Sequence, residues 1–139
     1  MASKFTPSIE DYLETIYQLD MGAGVKSTHI AEKLQVSKPS VHRAINTLAQ
    51  MGLLTQEKYS QIYLTESGKA KAREVNCKHE ILSRFLQETL AIPMETAEEE
   101  ACKMEHGVSM ETVARVEQLT IFLREQGKNE ELHSRFAQK

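Results

Sequence analysis

The segment from Ser27 to Gly52 constrains the fold most strongly, because two short helices flank a tight turn there. The spacing predicts a first helix over residues 28–34, capped by Ser27, and a second helix that Ser37 caps, with Pro39 in its first turn. Gly52 ends the second helix. The pattern is that of a helix-turn-helix, with inward-facing residues at Ile30, Ala31, Leu34, Val41, Ala44, Ile45, Leu48 and Met51.

The flanking segments extend this motif to a winged helix. Apolar residues at helical spacing predict a preceding helix over residues 7–21, which Thr6 or Ser8 can cap. Strands over residues 54–58 and 61–64 are expected to form a hairpin after the second helix of the motif. A hairpin in that place is the wing of a winged helix-turn-helix.

The later part of the chain predicts helices only. We expect a long helix to about Leu90, a second from Glu95 to about His106, and a third to about Gln126, followed by a polar tail that frays. These helices are too few for a generous core, so we expect them to pair with a second copy in a C2 homodimer. The third helix, capped by Ser109, is expected to bury Val113, Val116, Leu119, Ile121, Phe122 and Leu123.

The resulting fold class is mainly α, with an N-terminal winged helix-turn-helix followed by a helical dimerisation domain. We expect the first domain to span residues 1–70 and the second to span residues 71–139. No apolar run approaches the roughly 20 residues of a membrane span. Two cysteines make no disulfide framework, which favours a reducing, cytoplasmic setting.

The net charge of −3 conceals an uneven distribution of charged residues. From Ser37 to Arg73 six basic residues stand against two acidic ones, whereas from Asn76 onward eight basic residues stand against twelve acidic ones. A local basic stretch is the electrostatic footprint of a DNA-binding surface. The acidic ends require another explanation, and cation binding is one.

The first residues of the second motif helix are those that reach base edges in the major groove. Arg43 is the best base reader, since its fork matches the two acceptors of guanine, and Pro39 can contact a thymine methyl group. Residues of the wing are candidates for phosphate contacts. The predicted DNA-binding residues are Ser37, Lys38, Pro39, Ser40, His42, Arg43, Lys58, Tyr59 and Gln61.

Three metal donors share one helix face near Gly107, because a thiolate, a carboxylate and an imidazole stand at i, i+3 and i+4. They form a partial sphere for a first-row divalent metal. Two acids on the first helix can complete it, and a metal would account for an imidazole in the apolar stretch of the long helix. Each group also has a simpler interpretation: the thiol as a small apolar side chain, the acids as a solvated helix face, and the histidine as a core residue with satisfied hydrogen bonds. The three donors near Gly107 are Cys102, Glu105 and His106, the two acids of the first helix are Asp11 and Glu14, and the imidazole of the long helix is His79.

These stretches together resemble the diphtheria toxin repressor and manganese transport regulator family. The resemblance runs in order from about residue 6 to residue 125. It implies a metal-dependent repressor that binds operator DNA as a homodimer and controls metal homeostasis genes, with the same six candidate ligands. The stretches that carry it are TPSIEDYLETIYQL, STHIAEKLQVSKPSVHRAINTLAQMGLL, YLTESGKAKA, KHEILSRFL and CKMEHGVS.

The chain departs from the family pattern in its ligand set. The manganese branch has Glu where Cys102 stands, and the iron branch has Met where Asp11 stands. Hard oxygens favour Mn²⁺ and a thiolate favours Fe²⁺, Zn²⁺ or Co²⁺, so Mn²⁺ or Fe²⁺ is expected, with Zn²⁺ and Co²⁺ as alternatives. Ser83 replaces an acid of the iron branch's second site, so that site is expected to be absent, although two sites sharing Cys102 and Glu105 stay open. The resemblance implies a short form without the SH3-like third domain.

Three other functions compete with this one. A winged-helix regulator could sense oxidants through Cys77 and Cys102 without any metal. An enzyme could use Cys102 with His106, but no oxyanion donor or substrate loop is evident, so no enzyme and no small organic substrate is expected. A protein-interaction module that does not bind DNA is the third.

Overall fold

The computed structural model describes residues 7–57 and 61–137. They fall into two compact units, which divide the chain between Glu74 and Val75. The boundary between the units falls within one continuous helix, Glu66–Arg84, which also contains the predicted boundary at residue 70. No helix in the described part of the chain is long and apolar enough to cross a membrane.

The first unit is a winged helix-turn-helix. Its three strands form one antiparallel sheet in the order β1-β3-β2, and its helices α1, α2 and α3 pack together beside the hairpin. The elements in chain order are α1 (Ile9–Leu19), β1 (Val25–Lys26), α2 (Ser27–Leu34), α3 (Lys38–Gln50), β2 (Leu54–Gln56), β3 (Gln61–Leu64) and the beginning of α4 (Glu66–Arg84).

Local hydrogen bonds set the ends of the motif helices. The Ser37 hydroxyl accepts a bond from the backbone N–H of Ser40 at 3.3 Å, as the predicted cap requires. Gln35 ends α2 in the left-handed region, with φ of 54°, and so makes the tight turn. The Ser27 cap is wrong: α2 begins at Ser27 itself, and its capping residue Lys26 makes no side-chain capping bond.

The wing is a hairpin of two short strands. Leu54 pairs with Leu64 and Gln56 pairs with Ile62, so both β3 residues turn their side chains into the core. The two-residue strand β1 was not predicted, because so short a segment leaves no periodic pattern. The residues between the two predicted strands, and Lys58 at the end of the first, lie outside the described residues.

One contiguous core holds this unit together. It joins α1, the two motif helices, the sheet and the first turns of α4, and most of the periodic apolar positions of the sequence converge in it. Met51, which was expected to face inward, is instead 58% exposed, so that prediction was wrong. Its buried members are Tyr12, Leu13, Ile16, Val25, Ile30, Val41, Ala44, Ile45, Leu48, Leu54, Ile62, Leu64 and Ala72.

Gly68 lets α4 approach the backbone that leads into β2. A Cβ atom at this position would lie 1.9 Å from the carbonyl oxygen of Leu53, and backbone would have to move. We expect Gly68→Ala to lower the free energy of unfolding by about 1–3 kcal/mol in urea titrations. Gly107→Ala is the matched control, since its Cβ would meet nothing closer than 3.8 Å. Equal stability of the two variants would contradict the expectation.

The second unit is helical throughout. The end of α4 passes into a π-helical turn, Phe85–Thr89, and three helices follow: α5 (Met94–Met104), α6 (Met110–Glu125) and α7 (Asn129–Phe136). Ser109 caps α6 as predicted, accepting a bond from the N–H of Thr112. The small core consists of Ile81, Leu82, Leu86, Ala97, Ala101 and Val113.

The polar tail was wrongly expected to fray, because residues 129–136 form α7. The side chain of His133 anchors this helix: its Nε2 lies 3.0 Å from the carbonyl oxygen of Glu88 and 3.1 Å from that of Thr89. These carbonyls belong to the last two residues of the π-helical turn, where the C=O groups have no partner within the helix and can accept from a side chain. The sequence pattern missed α7 because it buries no residue of its own.

The predicted burial along α6 is also wrong in part. Val113 is buried, but Leu119, Ile121 and Phe122 are 47%, 38% and 51% exposed in the single chain. The fold class is nevertheless confirmed, with a winged helix-turn-helix followed by a helical domain.

Candidate metal centre and nucleic-acid interface

His79 lies between the carboxylates of Glu98, on α5, and of Glu105, the residue that follows the last turn of α5. Its Nδ1 is 2.8 Å from Oε2 of Glu105, and its Nε2 is 2.7 Å from Oε2 of Glu98. Both ring nitrogens are therefore engaged, and all three residues belong to the second unit. The histidine in the apolar stretch of the long helix is thus held by acids.

Oε1 of Glu105 is the oxygen of this cluster that bears most directly on cation binding. Its side chain is 0% exposed, and no described residue forms a hydrogen bond with its Oε1. Nε2 of His106 lies 3.5 Å from Oε1, close enough for electrostatic attraction but outside hydrogen-bond geometry. A buried carboxylate oxygen without a hydrogen bond is costly unless a cation compensates for it. The residues present therefore fit a divalent cation.

Sequence reasoning missed Glu98. Helix residues at i, i+4, i+7 and i+8 share one face. Glu98 stands in this relation to Cys102 within α5, and to Glu105 and His106 directly after its end. This spacing was available in the sequence, but the run of three acids at 98–100 resembles a solvated surface. Cys102 is half-buried on this face.

Ser83 takes part in the same network. Its hydroxyl donates to Oε1 of Glu98 at 2.5 Å, and the side-chain amide of Gln87 donates to Ser83 at 2.9 Å. The position at which the iron branch carries an acid therefore holds a hydroxyl that orients a carboxylate from α5. The expectation of an absent second site stays a prediction.

The carboxylates shift the proton affinity of this histidine. The hydrogen bond with Glu105 raises the pKa of His79 from its ordinary 6.5 to about 9, with Glu98 contributing and burial opposing. The pKa of Glu98 is lowered, first by the bond from Ser83 and then by the bond from His79. At neutral pH without metal, His79 is therefore protonated and donates to both acids.

This arrangement predicts a pH dependence for the metal-free protein. Because the pKa of folded His79 lies above the unfolded value, the stabilisation is complete below pH 6.5 and disappears as the pH rises through about 9. We expect the loss to reach at most about 3 kcal/mol, measured by urea unfolding in chelator. His79→Gln should remove this part of the slope. An identical pH profile in the variant would contradict the assigned cause.

The two predicted ligands of α1 belong to the first unit. Asp11 and Glu14 are both buried and stand at i, i+3 on that helix. Oδ2 of Asp11 accepts a bond from the Ser8 N–H at 2.8 Å, and the Ser8 hydroxyl accepts one from the Asp11 N–H at 3.1 Å. This capping box gives Asp11 a structural role besides its predicted one.

The predicted DNA-contacting residues of α3 lie at the surface. Lys38, Pro39, His42 and Arg43 are exposed, and Ser40 is half-buried. Ser37 is exposed, but its hydroxyl caps the helix. On the wing, Gln61 is half-buried at the first position of β3, while the predicted contacts Lys58 and Tyr59 lie outside the described residues.

Two family models match the chain. Residues 4–62 match the N-terminal DNA-binding domain of the iron-dependent repressors, and residues 65–131 match their metal-binding and dimerisation domain. Together the models cover most of the chain.

Individual relatives agree with these models. A helix-turn-helix transcriptional regulator of Methanocaldococcus jannaschii is 38% identical over 118 residues, covering 84% of this chain and 92% of that protein. The regulator MntR of Bacillus pumilus is 33% identical over 121 residues, which is 86% of this chain and 83% of MntR. The solved structure of the manganese regulator SloR superimposes with a TM-score of 0.74 at 33% identity, over 83% of this chain and 54% of SloR.

Other relatives are longer. The chain spans 50% of the iron-dependent repressor IdeR of Mycobacterium tuberculosis, at 33% identity over 115 residues and 82% of this chain. The similarity in both halves and the shared fold lead to one assignment. The chain belongs to the iron-dependent repressor family of metal-dependent, DNA-binding transcriptional regulators, which are not enzymes.

Proposed function

We propose that this chain is a repressor that binds operator DNA as a homodimer when Mn²⁺ or Fe²⁺ is bound, and that it controls metal homeostasis genes. The observation that carries the proposal is the buried Glu105 carboxylate, whose Oε1 has no hydrogen-bond partner among the described residues. The test is DNA binding by the full chain on a library of random duplexes, in chelator and with single metals added back.

The second unit supplies the core of the proposed metal site. His79, Glu105 and His106 lie together, and Cys102 and Glu98 share the same face of α5. A divalent cation there would supply the partner that Oε1 of Glu105 lacks among the described residues, and it would take over from protonated His79 as the counter-charge. The resemblance adds Asp11 and Glu14 as predicted ligands. Neighbouring solved structures include ScaR with bound Cd²⁺ and with bound Zn²⁺, which is consistent with a divalent metal of this kind.

The proposed mode of action concerns how the side chains of the site are paired in the metal-free protein and when metal is bound. In the metal-free protein, protonated His79 bridges Glu105 and Glu98. Ligation requires neutral imidazole, so His79 must release its proton and the acids must turn to a new partner. If the DNA-competent arrangement holds the donors better, DNA tightens metal binding by the same factor that metal tightens DNA binding.

The homodimer rests on the exposed face of α6. Leu119 and Phe122 stand at i, i+3 and are about half exposed in the single chain. The matching family domain is described as a dimerisation domain. A second copy that covers these side chains would complete the small core of the second unit, and it would present two α3 helices to a two-fold symmetric operator.

Substitution of Cys102 tests whether its thiolate is a metal ligand, because the loss of a ligand should change the relative affinities for different metals. We expect Cys102→Ala to weaken binding of Fe²⁺ and Zn²⁺ more than binding of Mn²⁺, because a thiolate favours the softer metals. Equilibrium dialysis against each metal measures this, with Cys77→Ala, an exposed cysteine of α4, as the control. Unchanged affinities for all three metals would remove Cys102 from the ligand set. The comparisons give no support to a thiol-based redox sensor.

A further inference from the structure

We propose that Ser40 positions Arg43 to read a guanine, so that each operator half-site carries a required G·C pair opposite the start of α3. The inference rests on the proposed function, since it names a chemical feature of the DNA that the repressor would bind. Its basis is a chain of hydrogen bonds at the surface of the recognition helix.

The chain of bonds runs from the helix cap to the guanidinium. Nη2 of Arg43 lies 3.3 Å from Oγ of Ser40, and Oγ of Ser40 lies 2.9 Å from Oγ of Ser37. Arginine can only donate, so the Ser40 oxygen accepts from Arg43 and its hydroxyl hydrogen is available for Ser37. Ser37 also accepts the backbone N–H of Ser40 at 3.3 Å. The direction of every bond is thereby consistent.

This arrangement gives the two serines a positioning role. The Ser37 oxygen serves the helix cap and the Ser40 oxygen serves Arg43, so neither hydroxyl is the principal base reader. The bond to Ser40 uses one of the five N–H donors of Arg43 and leaves four for a ligand. A long exposed side chain otherwise loses rotamer entropy when it binds, and holding it beforehand lowers that cost.

The position of Arg43 on the helix also favours base contact. Exposed residues recur at i, i+4, i+7 and i+11 along α3, which aligns them in one stripe on the solvent side. Arg43 is its second member, one turn after the helix start, where helix-turn-helix proteins meet base edges. The guanidinium fork matches O6 and N7 of guanine. The stripe consists of Pro39, Arg43, Asn46 and Gln50.

The experiment selects binding sites from random duplexes with the full chain at saturating Mn²⁺. The selected site is then compared with duplexes that carry adenine or 7-deazaguanine in place of the common guanine. We expect wild type to prefer guanine by about 5- to 150-fold, because one bidentate contact is lost in each altered duplex. Arg43→Lys, which keeps the charge but loses the rigid fork, should lower that preference several-fold.

Ser40 is tested by removing and restoring its hydroxyl. Ser40→Ala should reduce the guanine preference several-fold while the other selected positions keep theirs, and Ser40→Thr should restore it. Thr47→Ala is the matched control, because the Thr47 hydroxyl donates to the backbone oxygen of Arg43 and not to its side chain. This control should leave the preference unchanged.

These outcomes distinguish the inference about Ser40 and Arg43 from the proposed function. Metal-dependent sites without a required guanine, or an unchanged guanine preference in Arg43→Lys, would overturn this inference and leave the proposed function intact. Uniform loss of affinity in Ser40→Ala, with the preference retained, would reduce Ser40 to a structural role and also overturn it. Failure of wild type to bind any duplex with any metal would overturn both.

Discussion

Replacing Glu105 by glutamine should abolish metal-dependent DNA binding while the chain stays folded. Glutamine keeps the shape and an oxygen acceptor for His79, but it removes the buried negative charge next to His106. Without that charge the proposed site loses its central ligand, so metal can no longer favour the DNA-competent state. Coupling of this kind is worth about 5- to 150-fold in DNA affinity, and we expect nearly all of it to disappear.

Two measurements distinguish this effect from unfolding. Equilibrium dialysis with Mn²⁺ reports metal binding directly, and thermal unfolding in chelator reports the fold. Glu100→Gln is the matched control, because Glu100 is an exposed acid of α5, the helix whose end Glu105 caps. A Glu105→Gln variant whose DNA binding responds to metal as strongly as wild type would show that this buried carboxylate is structural.

Replacing Phe122 by glutamate should separate the dimer and remove most of the DNA affinity. Phe122 is 51% exposed beside Leu119 on α6, and a charge buried against a second copy would cost more than the contact provides. Two linked DNA-binding domains bind DNA more tightly than one by roughly 10²- to 10⁴-fold, and we expect a loss of affinity on this scale. Sedimentation equilibrium gives the oligomeric state, and anisotropy gives the affinity for duplex DNA.

The control for this substitution lies on another helix. Thr96→Glu introduces the same charge at an exposed position of α5, which carries neither Leu119 nor Phe122. It should leave the assembly intact. Dimers of the Phe122→Glu variant with unchanged stability, or monomers that bind DNA as tightly as wild type, would contradict the proposed interface.

The winged helix could be predicted almost entirely from local signals. Ser37 and Pro39 mark the start of α3 whatever surrounds them, because a cap and a fixed φ act within one turn. The hairpin follows from alternation that places Ile62 and Leu64 inside. Strand β1 escaped prediction because its two residues are extended only through pairing with β3.

The second unit was harder to predict, since its sequence pattern does not distinguish a core from an interface. Leu119 and Phe122 were expected to be buried within the unit, because apolar periodicity identifies the apolar face of a helix but not whether the same chain or a second copy covers it. Helix α7 depends on His133 reaching two carbonyl oxygens more than 40 residues earlier in the chain, a contact with no local signature.

The candidate metal centre was partly visible in the sequence. The Cys-x-x-Glu-His spacing located one helix face, and the structure brings His79 to that face. Glu98 was missed because a run of acids is typical of solvent exposure, and only the position of His79 shows that one member bonds a histidine. The sequence cannot reveal that Oε1 of Glu105 lacks a hydrogen bond, because that depends on packing.

The most direct test of metal-dependent DNA binding is a titration of the full chain on a selected duplex at fixed salt, first in chelator and then with Mn²⁺, anaerobic Fe²⁺ or Zn²⁺ added back singly. Fixed salt is essential because phosphate contacts make affinity steeply salt-dependent. We expect weak binding in chelator and a gain of about 5- to 150-fold with Mn²⁺ or Fe²⁺. Tight, sequence-specific binding in chelator that no metal changes would contradict it.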